Sequence, residues 1–121
     1  MPVSKVNLAE KLALFSDVYK PRIVGEVNDV FVKLVKVKGE FVWHHHENED
    51  ELFLVVSGAL TIHFRDGDVV LNPGEFLVVP KGVEHKPSAD EEAHVVLLEP
   101  KTTLNTGNVR NERTVPVLDR L

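Results

Sequence analysis

The sequence predicts an all-β fold, a barrel or sandwich, preceded by a short helix or arm. Between residues 23 and 99 it consists of short β-forming runs such as VFVKLVKVK, ELFLVVS and EFLVVP. Turn-forming pairs separate these runs, among them Gly39-Glu40, Ser57-Gly58 and Asp66-Gly67. Many short strands with regularly spaced glycine and proline turns are typical of sandwiches and barrels. The Asp66-Gly67 pair in particular suits a type I′ hairpin.

The chain divides into three predicted segments. Residues 1–24 form an N-terminal arm or short helix packed on the barrel, residues 25–100 form the β-barrel, and residues 101–121 form a polar C-terminal tail. Within the first segment, Asn7 followed by Glu10 resembles a capping box, which predicts a short helix or packed arm over residues 7–18. Pro21 ends any helix there.

Composition excludes several classes of protein. The 121 residues fit one domain, and the absence of cysteine excludes disulfides and zinc ribbons. A net charge of −5 with scattered lysines disfavours both nucleic acid and a membrane surface as partners. No apolar run is long enough for a signal peptide or a membrane span. We therefore expect a cytoplasmic protein.

The stretch WHHHENEDE, residues 43–51, concentrates three histidines and four carboxylates. Side chains alternate along a strand, so His44 and His46 point the same way and His45 points the other way. If Gly39-Glu40 closes a two-residue hairpin, Val35 pairs with His44 and Lys33 with His46. The inner face would then carry Phe31, Lys33, Val35, Val37, Val42, His44 and His46.

The same reasoning places one acid of this stretch inside. A hairpin at Ser57-Gly58 pairs Glu51 with Phe64 and gives Glu51 the same face as Phe53, Val55, Leu60 and Ile62. An ionised carboxylate on an apolar face needs a partner, and two imidazoles with a metal ion would supply one. His63 falls on the outer face. The remaining acids belong to a hydrated loop: Glu47, Glu49 and Asp50.

Two stretches resemble the motifs of the cupin superfamily. The first, GEFVWHHHENEDELFLVVSG, has Gly39, His44-x-His46, four residues, Glu51, six residues and Gly58. Four residues separate Gly39 from His44, where five is commoner. The second, GEFLVVPKGVEHKPSA, has Gly74, Pro80-x-Gly82 and His85, with Ala89 where the family often has asparagine.

The resemblance implies a cupin-type double-stranded β-helix, or jelly roll. It also implies one divalent metal ion held by His44, His46, Glu51 and His85, and often a homodimer. Such a donor set suits Fe, Mn, Ni, Co or Zn without choosing among them. The function implied is metal-dependent chemistry on a small oxygenated metabolite, of an isomerase, dioxygenase or decarboxylase type. The alternative is a cupin that binds a metal or small ligand without turnover.

Other residues carry weaker hypotheses. Lys33 would bind a substrate carboxylate or phosphate if it points inward. The alternatives are a solvated lysine at a strand edge, or a one-residue slip in register that brings Lys36 inside instead. The sequence does not fix the face of His94. Phe76 and Val78, if they point inward, would add to a dry wall. The continuous apolar runs LFLVV and FLVV are typical of strands covered on both faces, which favours a homodimer or cover by the N-terminal arm or the tail.

Overall fold

The computed structural model describes residues 3–121, and over this range the chain is mostly β-structure. The predicted all-β class is confirmed. The elements in chain order are α1 (Leu8–Leu12), β1 (Arg22–Val27), β2 (Val30–Glu40), β3 (Glu51–Ser57), β4 (Leu60–Phe64), β5 (Gly67–Leu71), β6 (Phe76–Val79) and β7 (His85–Pro100).

The long strand β7 connects the two parts of the barrel. Strands β1, β2, β7, β3 and β6 lie side by side in that order, while β4 pairs with β5 and also with β7. The first residues of β7 face β4, with His85 opposite Phe64, and its later residues face β3, with Leu98 opposite Leu52. All these pairings are antiparallel. Because one strand serves both parts, their inner faces enclose a common core.

The N-terminal helix is shorter than the predicted span of residues 7–18. Asn7 caps α1 as predicted, since its side chain accepts a hydrogen bond of 3.0 Å from the backbone N–H of Glu10. A longer helix would need the carbonyl of Phe15, but that oxygen accepts from the ammonium of Lys36. The N–H of Tyr19 is bonded to the carbonyl of Lys36 at 2.8 Å. Contacts with β2 therefore replace the helix after its first turns. Within residues 3–121, no helix is long and apolar enough to cross a membrane.

The predicted hairpin at Gly39-Glu40 is wrong. Both residues belong to β2 and lie opposite β7, Gly39 facing Ala89 and Glu40 facing Ser88. Gly39 has a φ of +76° and follows a shift in register after Val37, so the glycine forms a bulge and not a turn. Strand β7 is long enough to satisfy the hydrogen bonds of β2, which leaves none for a local hairpin. Lys33 and Val35 consequently face β7 instead of His46 and His44.

The predicted hairpin at Ser57-Gly58 is wrong for a related reason. Strand β3 pairs with β6 and β7, whereas β4 pairs with β5 and β7. The chain crosses between the two parts of the barrel at Gly58, which has a φ of +78°. A Cβ atom there would lie 2.8 Å from the carbonyl oxygen of Glu92, so the crossing needs glycine.

The hairpin near Asp66-Gly67 exists, but not with the predicted turn. Strands β4 and β5 pair so that Phe64 lies opposite Gly67, which makes Arg65 and Asp66 the two loop residues. Neither has a positive φ, so the turn is not type I′. The sequence located this turn one residue too late.

Face assignments proved more robust than strand partners, because alternation is a local property of each strand. Glu51, Phe53 and Val55 are buried, as are Leu60 and Ile62. The inward orientation considered for Phe76 and Val78 is wrong, because these side chains are 60% and 48% exposed. They lie opposite the outward residues Leu54 and Leu52, so the neighbours of Phe76 and Val78 in β6 face the core instead.

Apolar side chains pack on both sides of the larger sheet, which consists of the row of strands β1, β2, β7, β3 and β6. The core between the two parts of the barrel includes Val35, Val37, Phe53, Val55, Leu60 and Ile62. On the outer side, Leu12 and Phe15 of the N-terminal segment pack against Val24, Leu34 and Val96. The arm thus covers part of the run LFLVV. Cover by the N-terminal arm was one of the explanations offered for that continuous apolar run.

Candidate metal centre

Three segments of the chain bring the four predicted ligands together. His44 and His46 lie in the connection before β3, Glu51 begins β3 and His85 begins β7. Each of the four offers one ligand atom, and these atoms all lie within 4.8 Å of one another. A carboxylate oxygen of Glu51 is 3.2 Å from Nε2 of His85 and 3.4 Å from Nε2 of His46. All four residues are buried.

Backbone carbonyls fix the tautomers of two histidines. Nδ1 of His44 lies 2.9 Å from the carbonyl oxygen of Val42, and Nδ1 of His85 lies 2.9 Å from that of Val83. A carbonyl oxygen only accepts, so each Nδ1 donates a hydrogen bond to its carbonyl and each Nε2 is the ring nitrogen that faces the cluster. Metal-ligating histidines are commonly oriented in this way.

His46 provides the test of fit for a metal. Both of its ring nitrogens are buried without a hydrogen-bond partner among the described residues. Buried polar atoms rarely stay unpartnered in a folded protein, so an ion beside Nε2 would remove an otherwise costly feature. Three neutral imidazoles and one carboxylate are a suitable donor set for Fe, Mn, Ni, Co or Zn.

The protonation states also suit metal binding. Burial lowers the pKa of His44 to about 4, which keeps its imidazole neutral near pH 7. Burial opposes the ionisation of Glu51, but contacts with the side chains of Glu99, His46 and His85 outweigh this and hold its pKa well below the usual range. His44 therefore presents a neutral nitrogen to the cluster, and Glu51 presents a charged oxygen.

The metal-free protein is expected to lose about 3 kcal/mol of stability between pH 6.5 and pH 4 through His44. The folded pKa of about 4 lies below the ordinary value of 6.5, so the unfolded chain takes up the proton first as the pH falls. This contribution is present above pH 6.5 and disappears as the pH approaches 4. Urea unfolding of the metal-free protein at several pH values measures it.

The variant His44→Asn is the comparison for that titration, because asparagine has no group that ionises in this range. Its free energy of unfolding should change less between pH 6.5 and pH 4 than that of the unchanged protein. Equal slopes for the two proteins would show that His44 is not the group responsible.

The C-terminal tail forms a wall of the cluster. The backbone N–H of His45 donates to the side chain of Asn108 at 2.8 Å, and the N–H of Asn108 donates to the carbonyl of His45 at 3.0 Å. The tail lies so close to His45 that a Cβ atom on Gly107 would be 2.2 Å from the carbonyl oxygen of His45. Thr106 is fully buried. The tail is therefore integral to the site.

A cavity reaches His44 and Glu51 from outside. The cavity is narrow and opens to solvent at its mouth. Most of its wall is apolar, from Val35, Val37, Phe53, Leu60, Val95 and Leu97. Besides the two predicted ligands, Tyr19, Asn105 and Glu99 add polar groups to the lining.

Lys33 is buried but does not reach this cavity. Its ammonium lies 2.7 Å from a carboxylate oxygen of Glu99, and both side chains are 1% exposed. Burial and the neighbouring charge of Glu51 raise the pKa of Glu99 well above its usual range. The slip in register that would bring Lys36 inside is excluded, since Lys36 bonds to Phe15 on the outer side.

The other histidines of the sequence lie outside the cluster. Nε2 of His45 is 2.9 Å from Glu47, His63 contacts Asp68 and Ser88, and His94 contacts Glu92. The outward positions of His45 and His63 are confirmed. His94, whose face the sequence left open, also points outward.

Sequence reasoning missed Glu99 and the tail. Alternation along HVVLLEP could have identified Glu99, because Val95 and Leu97 are inward and Glu99 is the next residue on that face. No local signal marks Gly107 or Asn108, since their importance comes from residues more than sixty positions earlier in the chain.

Comparison with known proteins decides the family. A family model described as "Cupin domain" matches residues 31–100, more than half of the chain. The chain belongs to the cupin family. The resemblance of its two histidine motifs to cupin motifs is thereby confirmed.

Several relatives of this cupin are informative. A cupin-2 domain containing protein from Shewanella frigidimarina NCIMB 400 has a crystal structure that superimposes with a TM-score of 0.79. It is 50% identical, and the match covers 79% of this chain and 94% of that one. Protein YdbB of Bacillus subtilis is 45% identical over 81 residues, 66% of each chain.

Named enzymes are more distant and longer. The acireductone dioxygenase of Bacillus licheniformis is 35% identical over 83 residues, which are 64% of this chain and 46% of the dioxygenase. The chain thus spans about half the length of that relative.

Proposed function

We propose that this protein is a metal-dependent cupin that acts on a small oxygenated metabolite, with dioxygenase-, isomerase- or decarboxylase-like chemistry. The observation that carries this proposal is the buried cluster of His44, His46, Glu51 and His85, two of which, His44 and Glu51, line a cavity. The four residues would hold one divalent ion. Their neutral imidazoles and single carboxylate leave open which of Fe, Mn, Ni, Co or Zn it is.

A bound ion would supply Lewis-acid chemistry, polarising a substrate carbonyl or stabilising negative charge on a substrate oxygen. The chain's own residues would do the rest. Val35, Phe53 and Leu60 exclude water from one side of the cavity, and the tail closes the side behind His45. The named dioxygenase among the relatives supports an enzyme and favours dioxygenase-like chemistry.

A cupin that binds a metal or small ligand without turnover is the second candidate. The apolar character of most of the cavity wall favours it, because few polar groups are available to assist a reaction. The polar lining residues Tyr19, Asn105 and Glu99 favour the enzyme instead. The cytoplasmic location expected from the sequence stays a prediction.

Elemental analysis tests the metal site. Protein purified without a nickel column or chelator should contain about one equivalent of a divalent ion. His46→Ala or Glu51→Ala should lose it, because each removes a donor atom from the cluster. His45→Ala is the matched control and should keep the ion, since His45 faces outward.

The identity of the metal then directs the search for a substrate. Iron or manganese would direct it toward oxygen chemistry or decarboxylation, and zinc toward isomerisation or hydrolysis. If the unchanged protein took up none of the five ions, the metal site and the enzyme built on it would both be excluded.

We also infer a homodimer through the outer face of the larger sheet. Strand β6 ends the row of strands in that sheet, and its side chains Phe76 and Val78 are exposed. Beside them, Leu54 and Leu52 continue the apolar surface across β3. An exposed apolar surface at a sheet edge is typical of an interface, and a second copy could pair its own β6 there in antiparallel fashion.

Light scattering coupled to size exclusion measures the oligomeric state. The unchanged protein should be dimeric, and Phe76→Lys/Val78→Lys should be monomeric because two charges would be buried at the interface. Val69→Lys/Val70→Lys alters another exposed apolar pair on β5 and should leave the dimer intact. A monomeric unchanged protein would contradict the inference, and loss of the dimer only in the β5 variant would move the interface to β5.

A further inference from the structure

A serine, a histidine and an aspartate form a continuous series of contacts on the outer face of the barrel. Nε2 of His63 is 2.7 Å from Oγ of Ser88, and Nδ1 of the same ring is 2.9 Å from a carboxylate oxygen of Asp68. His63 belongs to β4, Asp68 to β5 and Ser88 to β7. The contacts therefore exist only in the folded protein, and they are separate from the four-residue metal cluster.

Strand register explains why these three side chains meet. His63 lies directly opposite Asp68 on β5. On the other side of β4, Ser88 lies opposite Thr61, two positions before His63. Residues two apart share a face, and diagonal neighbours on adjacent strands are within reach of a side chain as long as histidine. The alternation that directs Ile62 into the core directs His63 to the outer face.

The contacts assign a role to each ring nitrogen of His63. The carboxylate of Asp68 is negative and only accepts, so it favours the tautomer with the proton on Nδ1. In that tautomer Nε2 is an acceptor, and the hydroxyl of Ser88 donates to it. A hydroxyl directed at a base, with that base oriented by an acid, is the arrangement of an activated nucleophile. Such an arrangement is identified by its geometry and not by the fold that carries it.

Lys86 places a positive charge on the same face as Ser88. The two residues are two apart on β7, where the intervening and flanking positions are buried. The ammonium of Lys86 donates to Glu40 at 2.6 Å, which leaves two of its three N–H donors for other acceptors. Negative charge that develops on a carbonyl oxygen beside Ser88 would be stabilised by this cation.

We propose that Ser88, His63 and Asp68 form a second reactive site, which hydrolyses small carboxylic esters with good leaving groups, such as aryl esters. Ser88 is the nucleophile, His63 is the general base and then the general acid, and Asp68 is the positioning residue for His63. The side chains of His63 and Asp68 are 25% and 55% exposed, so both an ester and water reach the site. This activity goes beyond the proposed metal chemistry and does not require the metal.

The reaction has two steps, with water as the only co-reactant. In the first, Oγ of Ser88 bonds to the ester carbonyl carbon, and its proton passes to Nε2 of His63. The bond from that carbon to the leaving oxygen breaks, and the leaving oxygen takes the proton from Nε2. In the second, water adds to the acyl group on Ser88 and gives a proton to Nε2. The bond to Oγ then breaks, Oγ takes that proton, and the carboxylic acid is released.

Two reagents test the site on the full chain as purified. p-Nitrophenyl acetate measures turnover through the release of p-nitrophenolate. An alkyl fluorophosphonate loses fluoride to an activated serine and leaves a stable phosphonyl group, which peptide mass spectrometry locates. The label is expected on Ser88, and the serines at positions 16 and 57 are internal references that should stay unlabelled.

Variants of the serine and the histidine separate the two roles. His63→Gln should slow the labelling of Ser88 at least about a hundredfold, because general base catalysis contributes at least that factor. Ser88→Ala should lower ester hydrolysis as much as His63→Gln does. His94→Gln is the matched control and should change neither rate. His94 is also 25% exposed and lies 2.8 Å from a carboxylate oxygen of Glu92, so this variant removes an equivalent imidazole away from Ser88.

Variants of the acid test its positioning role. Asp68→Asn should slow the labelling of Ser88, because an amide no longer favours the tautomer with the proton on Nδ1 of His63. Asp68→Glu restores a carboxylate and should recover part of the rate. Equal slowing by both substitutions would overturn the role of the Asp68 carboxylate, since a loss of packing alone would not distinguish an acid from its amide.

The remaining outcomes support the site or overturn it. Labelling of Ser88 that is lost in His63→Gln and kept in His94→Gln supports it. Hydrolysis that persists in Ser88→Ala but falls in His63→Gln would make the imidazole the nucleophile and overturn the role of Ser88. Absent labelling of Ser88 in the unchanged protein would overturn it as well. His46→Ala, which removes a proposed metal ligand, should keep ester hydrolysis, and loss of hydrolysis there would assign the activity to the metal instead.

Discussion

Gly107→Ala is expected to destabilise the protein by about 3 kcal/mol and to weaken metal binding. The glycine has a φ of +57°, a conformation that alone costs alanine about 1 kcal/mol. The larger effect is steric, because the new Cβ atom would lie 2.2 Å from the carbonyl oxygen of His45 and 3.1 Å from the ring of His44. The tail must then move away from the segment that carries His44 and His46, two of the proposed ligands. Urea unfolding and zinc titration measure the two effects.

Gly39→Ala separates backbone strain from the steric effect. Gly39 also has a positive φ, +76°, but a Cβ atom there would meet nothing within 4 Å. This variant should lose only about 1 kcal/mol and should bind zinc as the unchanged protein does. If both glycine variants lost the same stability and the same zinc affinity, the contact between the tail and His45 would not support the site.

Lys33→Met is expected to lower the free energy of unfolding of the metal-free protein by about 3 kcal/mol at pH 7. The substitution keeps an apolar stem of similar length but leaves Glu99 buried beside Glu51 with no cation nearby. Two buried carboxylates without a counter-charge are costly unless one is protonated. Protonation of Glu99 at lower pH should relieve the cost, so the difference from the unchanged protein should shrink as the pH falls.

Two further variants show whether charge is the cause. Lys38→Met removes an exposed lysine from the same strand and should change the stability by less than about 0.5 kcal/mol. Adding Glu99→Gln to Lys33→Met should recover at least about 1 kcal/mol, since an amide needs no counter-charge. An equal loss from Lys33→Met and Lys38→Met, or no recovery in the double variant, would contradict a charge-based explanation.

The alternation of side chains was sufficient for the faces of His44, His45, His46 and Glu51, and the cupin resemblance supplied the candidate ligands. Alternation separated His45 from His44 and His46, and it placed Glu51 among buried apolar side chains. Those assignments did not depend on which strand is the neighbour. The assignments therefore agree with the structure, although the two hairpins assumed for the strand partners, at Gly39-Glu40 and Ser57-Gly58, were wrong.

Strand partners required the tertiary structure. A turn-forming glycine predicts a local reversal, but a 16-residue strand that arrives later in the chain can compete for the same hydrogen bonds. Strand β7 does so twice, which turns Gly39 into a bulge and Gly58 into a crossing point. Strand β2 competes in a similar way for the N-terminal segment, because the ammonium of Lys36 donates to the carbonyl of Phe15.

The sequence by itself thus determined the all-β class, which follows from residue spacing along single segments. Its resemblance to the cupin motifs implied the set of four metal-binding candidates. Only the tertiary structure decided that Glu99 joins Lys33 beside Glu51, that the tail packs against His45, and that Phe76 and Val78 face outward. The physical reason is the same in each case. Burial and charge pairing between residues distant in the chain depend on which surfaces meet, and the alternation of one strand carries no information about its partner.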